Sequence, residues 1–310
     1  MAWAEFVCGK KNKNDVAEFS LHLSKNIFQL HNDLKFKSYR HGEYKSFKIS
    51  DPKPRDIHKS SVRDRLLHHA IYRILYLYFD KKFIFDSYSC RLGKGTHKAN
   101  ERFKDFARKV SKNNTKTCWI LKCDIRKFFA NIDHEILLKI LEKNIVDKDI
   151  VCLLKEVIGS FNTKYRENVG LPLGNLTSQL LVNIYMNEFD QFAKHELKEK
   201  YYIRYADDFV FMSENKAYLE KLIPKISLFL EETLRLEIHP DKLFIKTLYS
   251  GLDFLGWVHF SKHKVLRTAT KKRMFRNIIK KEWKKETIQS YLGMLKYGNT
   301  EKLKRIVLEI

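Results

Sequence analysis

The sequence predicts an α+β fold, and three observations carry that prediction. Two runs rich in aromatic and β-branched residues, Tyr201-Tyr202-Ile203-Arg204-Tyr205 and Phe209-Val210-Phe211-Met212, flank Ala206-Asp207-Asp208. They read as two strands joined at a tight turn, with carboxylates at the tip. Trp119-Ile120-Leu121-Lys122-Cys123-Asp124-Ile125 is a mostly apolar strand candidate that also ends on a carboxylate. Against these strands stand helical stripes, such as Val16, Phe19, Leu23, Ile27 and Leu30. A hydrophobic content of 44% supports a core, and 11 Gly with 5 Pro argue against a disordered or fibrous chain. At 310 residues, one large or two to three smaller lobes are expected.

The balance of charge bounds the partners. Lys and Arg number 60 against 37 Asp and Glu, for a net charge of +23. A Lys-rich, AT-biased coding sequence that confers solubility is the bland explanation. A phosphate-binding surface is the sharper one. The charge falls on every segment, which favours a groove that contacts a nucleic-acid backbone along its length, with salt-sensitive binding. Five cysteines without Cys-x-x-Cys spacing point away from zinc sites and disulfides, toward buried reduced thiols in a cytosolic protein. His259 and His263 have i,i+4 spacing but no acidic or thiol partner nearby, and read as ordinary polar residues. No signal-peptide core and no apolar run near membrane-span length is visible, so a cytoplasmic location is expected.

Taken in order, residues 1–50 read as helix and linker, with alternation at Tyr44, Phe47 and Ile49 that ends at Asp51-Pro52-Lys53-Pro54. Asp64 to Tyr78 reads as an apolar helix, and Tyr88 to His97 as a basic, glycine-containing loop able to wrap phosphate oxygens. A basic amphipathic helix covers Asn100 to Lys109. After Asp124 comes Arg126-Lys127-Phe128-Phe129, then Asp133 as the N-cap of a helix that buries Ile136, Leu137, Ile140 and Leu141. Gly170-Leu171-Pro172-Leu173-Gly174-Asn175-Leu176-Thr177-Ser178-Gln179 marks a turn that opens a helix through Leu180, Asn183, Ile184, Asn187 and Phe189. Another helix follows the hairpin, from about Lys216 to Leu234. Phe254-Leu255-Gly256-Trp257 is an apolar strand with a glycine, and Arg267 to Lys285 a basic helical stretch.

Isolated Asp-Asp pairs are usually solvated turns. The third acid changes that reading. If the two elements lie side by side in one sheet, Asp124 meets Asp207 and Asp208, and the carboxylates repel one another unless cations are present. An incomplete set of oxygen ligands suits Mg²⁺, which keeps room for substrate phosphates. Two such ions can clamp an in-line phosphoryl displacement.

Tyr205-Ala206-Asp207-Asp208 in a hydrophobic hairpin, with the upstream Asp-x-x-x-Phe-Phe of Asp124 to Phe129, resembles a reverse transcriptase. The same order of motifs continues through almost the whole chain. The resemblance implies a right-hand polymerase fold with fingers, a palm of antiparallel sheet plus helices, and a short helical thumb. Residues 1–50 would form an N-terminal helical segment and linker, 51–115 the fingers, 116–260 the palm with a fingers-proximal loop at 165–180, and 261–310 the thumb. It also implies templated synthesis of cDNA on RNA, in which a primer 3′-oxygen attacks the α-phosphate of a deoxynucleotide with two Mg²⁺ ions (Mn²⁺ as substitute). Asp124, Asp207 and Asp208 become the catalytic residues, and with Ile125 the metal site. Arg91 becomes the candidate for the incoming triphosphate, with Lys53 and Arg55 as lesser candidates. Phe129 lies where the family places an aromatic under the sugar ring, which would disfavour a 2′-OH; Phe128 reads as core. Lys242 matches a lysine near the nucleotide, with a surface lysine as the alternative. Leu173, Gly174, Asn175 and Gln179 fall in the loop that packs against the template–nucleotide pair. Phe254, Leu255, Gly256 and Trp257 match a primer-grip hairpin. Arg267, Lys271, Lys272 and Arg273 would track the duplex through phosphates.

Two departures narrow the resemblance. Many members have Gln where this chain has Leu173, and mobile-intron relatives have Ser-Pro where it has Ser178-Gln179. Both departures are similar to the reverse transcriptases of diversity-generating retroelements. Those enzymes copy a template RNA with errors at adenines and work with a small basic pentameric accessory protein. An apolar Leu173 would remove a polar contact near the nucleotide and weaken discrimination. An anti-phage defence reverse transcriptase shares the motifs and is the alternative. A non-catalytic RNA-binding protein with a polymerase-like palm is the alternative from another class.

Overall fold

A computed structural model describes residues 1–50, 54–163 and 166–309. The first elements are α1 (Ala2–Val7), α2 (Asn14–Leu21), α3 (Leu23–Lys35), β1 (Lys45–Ile49), β2 (Arg55–Lys59), α4 (Val62–Phe79), α5 (Thr96–Val110) and β3 (Trp119–Asp124). Next come α6 (His134–Asn144), α7 (Lys148–Gly159), α8 (Leu176–Gln191), β4 (Tyr202–Tyr205), β5 (Asp208–Ser213) and α9 (Lys216–Leu234). The chain ends with β6 (Phe244–Thr247), β7 (Leu252–Phe254), β8 (Trp257–His259), β9 (Lys264–Leu266), α10 (Thr268–Lys280), α11 (Lys285–Leu295) and α12 (Glu301–Glu309). Among the described residues no helix is long and apolar enough to cross a membrane.

Contacts divide the chain into two units. The first comprises Met1–Ile84, Ile125–Phe192 and Leu228–Glu237. Its centre is the packing of α4 against α8, with α6 also on α8. Ser61 caps α4 by accepting from the Asp64 amide at 3.1 Å, and the buried Asp64 carboxylate accepts from the Tyr39 hydroxyl at 2.8 Å. Asp133 caps α6 as its position before the apolar run predicts, accepting from the Ile136 amide at 3.1 Å. Its second oxygen accepts from Arg235 at 2.7 Å, and that guanidinium holds the Asp133 carboxyl below the usual range against the opposing effect of burial. β1 and β2 form an antiparallel hairpin, with Ile49 paired to Arg55.

The second unit comprises Phe85–Asp124, Ala193–Ser227 and Ile238–Ile310. Its sheet is antiparallel, in the order β4-β5-β3-β6. One face packs on α5: Phe103, Phe106, Ile120, Ile203, Val210 and Phe254 are all buried in one cluster. Full burial of each such side chain stabilises by about 1.5–3 kcal/mol. A smaller sheet, β7-β8-β9, leads into the last three helices, whose core is Trp257, Leu266, Met274, Ile278, Leu295 and Val307.

Several expectations change. The Val16–Leu30 stripe is two helices, because His22 adopts φ −120° and ψ 36° and interrupts the turn. The basic stretch from Arg267 to Lys285 is likewise split, since Glu282 and Trp283 take positive φ between α10 and α11. The loop ending at His97 is shorter than expected, because α5 already begins at Thr96. All five cysteines are free, yet Cys8, Cys90 and Cys152 are exposed; Cys118 and Cys123 are the buried pair.

Candidate active site

The site is built on the turn between β4 and β5. Tyr205 pairs with Asp208, which leaves Ala206 and Asp207 as a two-residue loop. Ala206 sits at φ +56°, a left-handed conformation that costs a non-glycine residue roughly 1–2 kcal/mol. Surrounding bonds hold it there. The fully buried Arg204 donates from Nη1 to the Ala206 carbonyl at 3.1 Å and from Nη2 to the Ser87 hydroxyl at 3.1 Å. The Arg204 amide donates to the Asp86 carbonyl, and the Tyr88 amide donates to the Arg204 carbonyl, both at 3.0 Å. Residues 86–88 therefore lie as a parallel rung on the outer side of β4.

β5 then delivers its first residue to the neighbouring strand. Asp208 is directly opposite Asp124 in the β3–β5 register. Each carboxylate has a lysine. Lys122 Nζ lies 3.0 Å from Asp208 Oδ2, and Lys242 Nζ lies 2.5 Å from Asp124 Oδ1. Lys122 also donates to the Asp253 carbonyl at 2.7 Å, which ties β3 to β7. The His239 amide donates to the Asp124 carbonyl at 2.7 Å and so brings the 3-10 turn that carries Lys242 to the end of β3. Burial pushes the Asp208 carboxyl up to about 6; Lys122 pulls it down, while Asp124 and Asp207 add to the rise. Three carboxylates thus share one small region with two ammonium groups.

The donor chemistry fits a divalent cation of the Mg²⁺ type. Asp208 Oδ1 is buried without a hydrogen-bond partner. Among the described residues no group of three or more His, Cys, Asp or Glu side chains is gathered into a ready-made metal cage. Mg²⁺ does not need one, since it is commonly held by one or two carboxylates together with substrate phosphates.

A family described as "Reverse transcriptase (RNA-dependent DNA polymerase)" matches residues 48–259. The chain belongs to the reverse transcriptase family. Protein YkfC of Escherichia coli is 26% identical over 262 residues, which cover 72% of this chain and 66% of YkfC. The group II intron-encoded protein LtrA of Lactococcus lactis subsp. cremoris is 22% identical over 276 residues, covering 68% of this chain and 45% of LtrA. The chain thus spans just under two thirds of YkfC and under half of LtrA. Among solved structures, an apo telomerase from Candida tropicalis, truncated from its C-terminal domain, matches at a TM-score of 0.55 with 14% identity. That match covers 79% of this chain and 60% of the telomerase chain. The fold is that of a right-hand polymerase, as the resemblance to reverse transcriptases implies.

The remaining candidate residues fall in both units. In the unit of the aspartates, Arg91 donates to the Ser87 carbonyl at 3.0 Å. The same loop is fastened by Lys94, which donates to the Phe85 carbonyl at 2.8 Å and lies 3.4 Å from the Phe85 ring centroid. Leu255 and Gly256 form the β7–β8 turn with φ +50° and +87°. Phe254 and Trp257 are buried in the two cores, so their side chains are committed to packing and the turn between them presents backbone. Arg267 pairs with Asp253 at 2.8 Å, and Lys271, Lys272 and Arg273 follow on α10.

In the other unit, Phe128 is buried as expected of a core ring, whereas Phe129 is only half-buried. The Phe129 carbonyl accepts from the Leu171 amide at 2.8 Å. Leu173 is half-buried, and its carbonyl accepts from the His58 amide at 3.0 Å, which joins this loop to β2. Gly174 has φ +109°, and a Cβ there would come within 2.9 Å of Ile57 Cγ2, so a side chain is excluded. Asn175 is buried and accepts from the Ser60 hydroxyl at 3.2 Å. Gln179 is half-buried on α8, Ile125 is buried, and Arg55 opens β2 exposed to solvent. Lys53 lies outside the described residues.

Sequence reasoning passed over Lys122, Arg204 and Ser87. Two of them carry a signal. Lys122 is the single cation in an apolar strand and lies two residues before Asp124, hence on the same face. Arg204 is likewise the one cation of its strand. Ser87 has no local signal; only the parallel rung beside β4 reveals it.

Proposed function

We propose that the chain is an RNA-directed DNA polymerase that copies a template RNA into cDNA, is error-prone, and belongs to a diversity-generating retroelement. The observation that carries the polymerase reading is the pairing of Asp124 with Asp208 across β3 and β5, with Asp207 at the adjoining turn. Asp124, Asp207 and the Ile125 carbonyl are the proposed metal ligands, with Asp208 in support through its unpartnered buried oxygen. Mg²⁺ held by these residues would supply Lewis-acid stabilisation to the phosphoryl oxygens and lower the basicity of the primer 3′-oxygen. The chain's own residues do the positioning. Arg204 fixes the turn, Lys122 limits carboxylate repulsion, and Lys242 and Arg91 offer cations to the triphosphate. Phe129 is the residue we assign to the sugar ring, where it would exclude a 2′-OH.

Leu173 and Ser178-Gln179 support the diversification role. Leu173 brings an apolar side chain to the template–nucleotide loop, where a polar one would add discrimination. The proposed partners are template RNA, the primer strand, deoxynucleoside triphosphates and a small basic pentameric accessory protein, in the cytoplasm. The name of LtrA favours a second reading, an intron-associated reverse transcriptase.

The test is deoxynucleotide incorporation by purified protein on a primed RNA template with Mg²⁺, beside Asp207→Asn. Incorporation that the substitution removes is expected. Undiminished incorporation by the variant would sink the two-metal mechanism. Sequencing the product tests the finer reading: errors concentrated at template adenines support diversification, and an ordinary spectrum favours the intron-associated alternative.

A further inference from the structure

A second concave region lies apart from the aspartates, at the end of the small sheet opposite the Leu255–Gly256 turn. It is a cavity of about 700 Å³ between α5, the β8–β9 turn and the residues that follow α11. Lys104, Arg108, Lys262 and Lys264 line it with His259 and His263, and no carboxylate does. Flat rings accompany the cations. Phe260 and His263 stack with centroids 4.9 Å apart and planes 17° from parallel, and the Phe260 amide donates to the His263 carbonyl at 2.8 Å to close the turn. Tyr297, at the rim, stacks on His97 at 3.7 Å. His259 forms a rigid wall, with its Nε2 2.7 Å from the Asn100 Oδ1 acceptor.

Gathering like charges in a concavity is unfavourable unless an anion answers them. Burial holds Lys264 below the ordinary lysine range; Glu101 on α5 pulls the other way, and Lys104 adds a smaller downward effect. Phosphate would satisfy the ammonium groups. The stacked rings ask for something more, a flat π-face, which a carboxylate-rich peptide does not supply. Cations along a backbone track beside aromatic platforms are the features that bind unpaired bases. The volume is in the range of sites for small organic ligands, about 300–1,000 Å³, and suits one or two nucleotides.

We propose that this cavity binds a nucleotide unit of single-stranded RNA, with phosphates on Lys104 and Lys262 and a base on the Phe260–His263 platform. None of its lining residues belongs to the aspartate cluster, so the site does not depend on the polymerase reading.

The experiment is fluorescence anisotropy of a labelled single-stranded RNA decamer titrated with the full chain, without Mg²⁺ or nucleotides. Lys104→Glu/Lys262→Glu alters two exposed side chains, and Lys11→Glu/Lys13→Glu is a control with the same change of charge. The cavity pair is expected to weaken binding tenfold or more and to flatten the salt dependence by about one to two counterions, while the control changes affinity less than threefold. His263→Ala is expected to weaken single-strand binding about tenfold and leave binding of a blunt RNA duplex unchanged. Equal losses in cavity and control variants would mean diffuse charge attraction and overturn the site. So would displacement of the RNA by polyglutamate at matched charge concentration, which would point to an acidic protein partner. Displacement by micromolar ATP would overturn the assignment to a strand in favour of a free nucleotide.

Discussion

Lys122 Nζ sits 3.0 Å from Asp208 Oδ2 while the same ammonium donates to the Asp253 carbonyl, so one side chain joins one of the three clustered carboxylates to the β7–β8 hairpin. Both partners are largely buried. Removing one member of such a pair leaves a charge without compensation, at a cost of about 3–5 kcal/mol. Lys122→Met is therefore expected to lower unfolding free energy by about 3 kcal/mol in urea melts. Adding Asp208→Asn should recover at least half of that. Equal destabilisation of the single and double variants would show that the pair contributes nothing to the fold.

Arg204→Lys keeps the charge and gives up the fork that reaches both Ala206 and Ser87. A displacement of the turn by about 1 Å is enough to cost roughly a hundredfold in rate. Single-nucleotide incorporation should show that loss in kcat, with KM for the primer–template within a factor of about two. A variant that loses primer–template affinity instead would place Arg204 in binding rather than in positioning.

Phe129→Ala removes the ring assigned to the sugar. Ribonucleotide incorporation relative to deoxynucleotide should rise about tenfold or more, the scale of a steric filter. An unchanged ratio in competition assays would return Phe129 to the role of a packing residue beside Phe128.

Leu173→Gln restores the polar side chain that many family members carry. The error rate on a homogeneous template should fall about tenfold, read by sequencing of cDNA. An unchanged rate would move the source of infidelity, if any, away from this loop.

Acid should weaken the fold through two buried imidazoles. His259 is held down to about 3 by burial and then by Lys264 and Lys122, and His68 to about 3 by burial and then by His41. In the unfolded chain each binds its proton near 6.5. A folded value below the unfolded one means that the contribution is whole above 6.5 and is lost as the pH falls toward 3. Urea midpoints are expected to drop between pH 7 and pH 5, and to drop less in His259→Gln and His68→Gln. Parallel curves for wild type and variants would assign acid sensitivity to other groups.

The hairpin that carries Asp207 and Asp208 and the cap of α6 were legible because local rules and tertiary packing agree there. The β4–β5 hairpin follows from aromatic and β-branched strands around a short acidic turn, and the α6 cap from Asp133 before an apolar run. Less legible features depend on distant partners. The apolar stripe from Val16 to Leu30 keeps helical period through His22, so nothing local announces the break. β2 consists of Arg55-Asp56-Ile57-His58-Lys59, too polar to read as a strand until β1 gives it a partner. Charge in the sequence also said nothing of where it is gathered, and His259 and His263, read as ordinary polar residues, line a cationic cavity.

Ser87 serves two arginines at once, its carbonyl accepting from Arg91 and its hydroxyl from Arg204. The candidate triphosphate grip and the turn that carries Asp207 thus share a single residue, and lesions in them should show epistasis. Conservative changes at Arg91 and Arg204 combined should cost less than the sum of their separate effects, and Ser87→Ala, which deletes the hydroxyl and keeps the carbonyl, should reproduce part of the Arg204 effect alone. In a deep mutational scan, residues 87, 91 and 204 would emerge as one co-dependent block, although more than a hundred positions separate the first from the last.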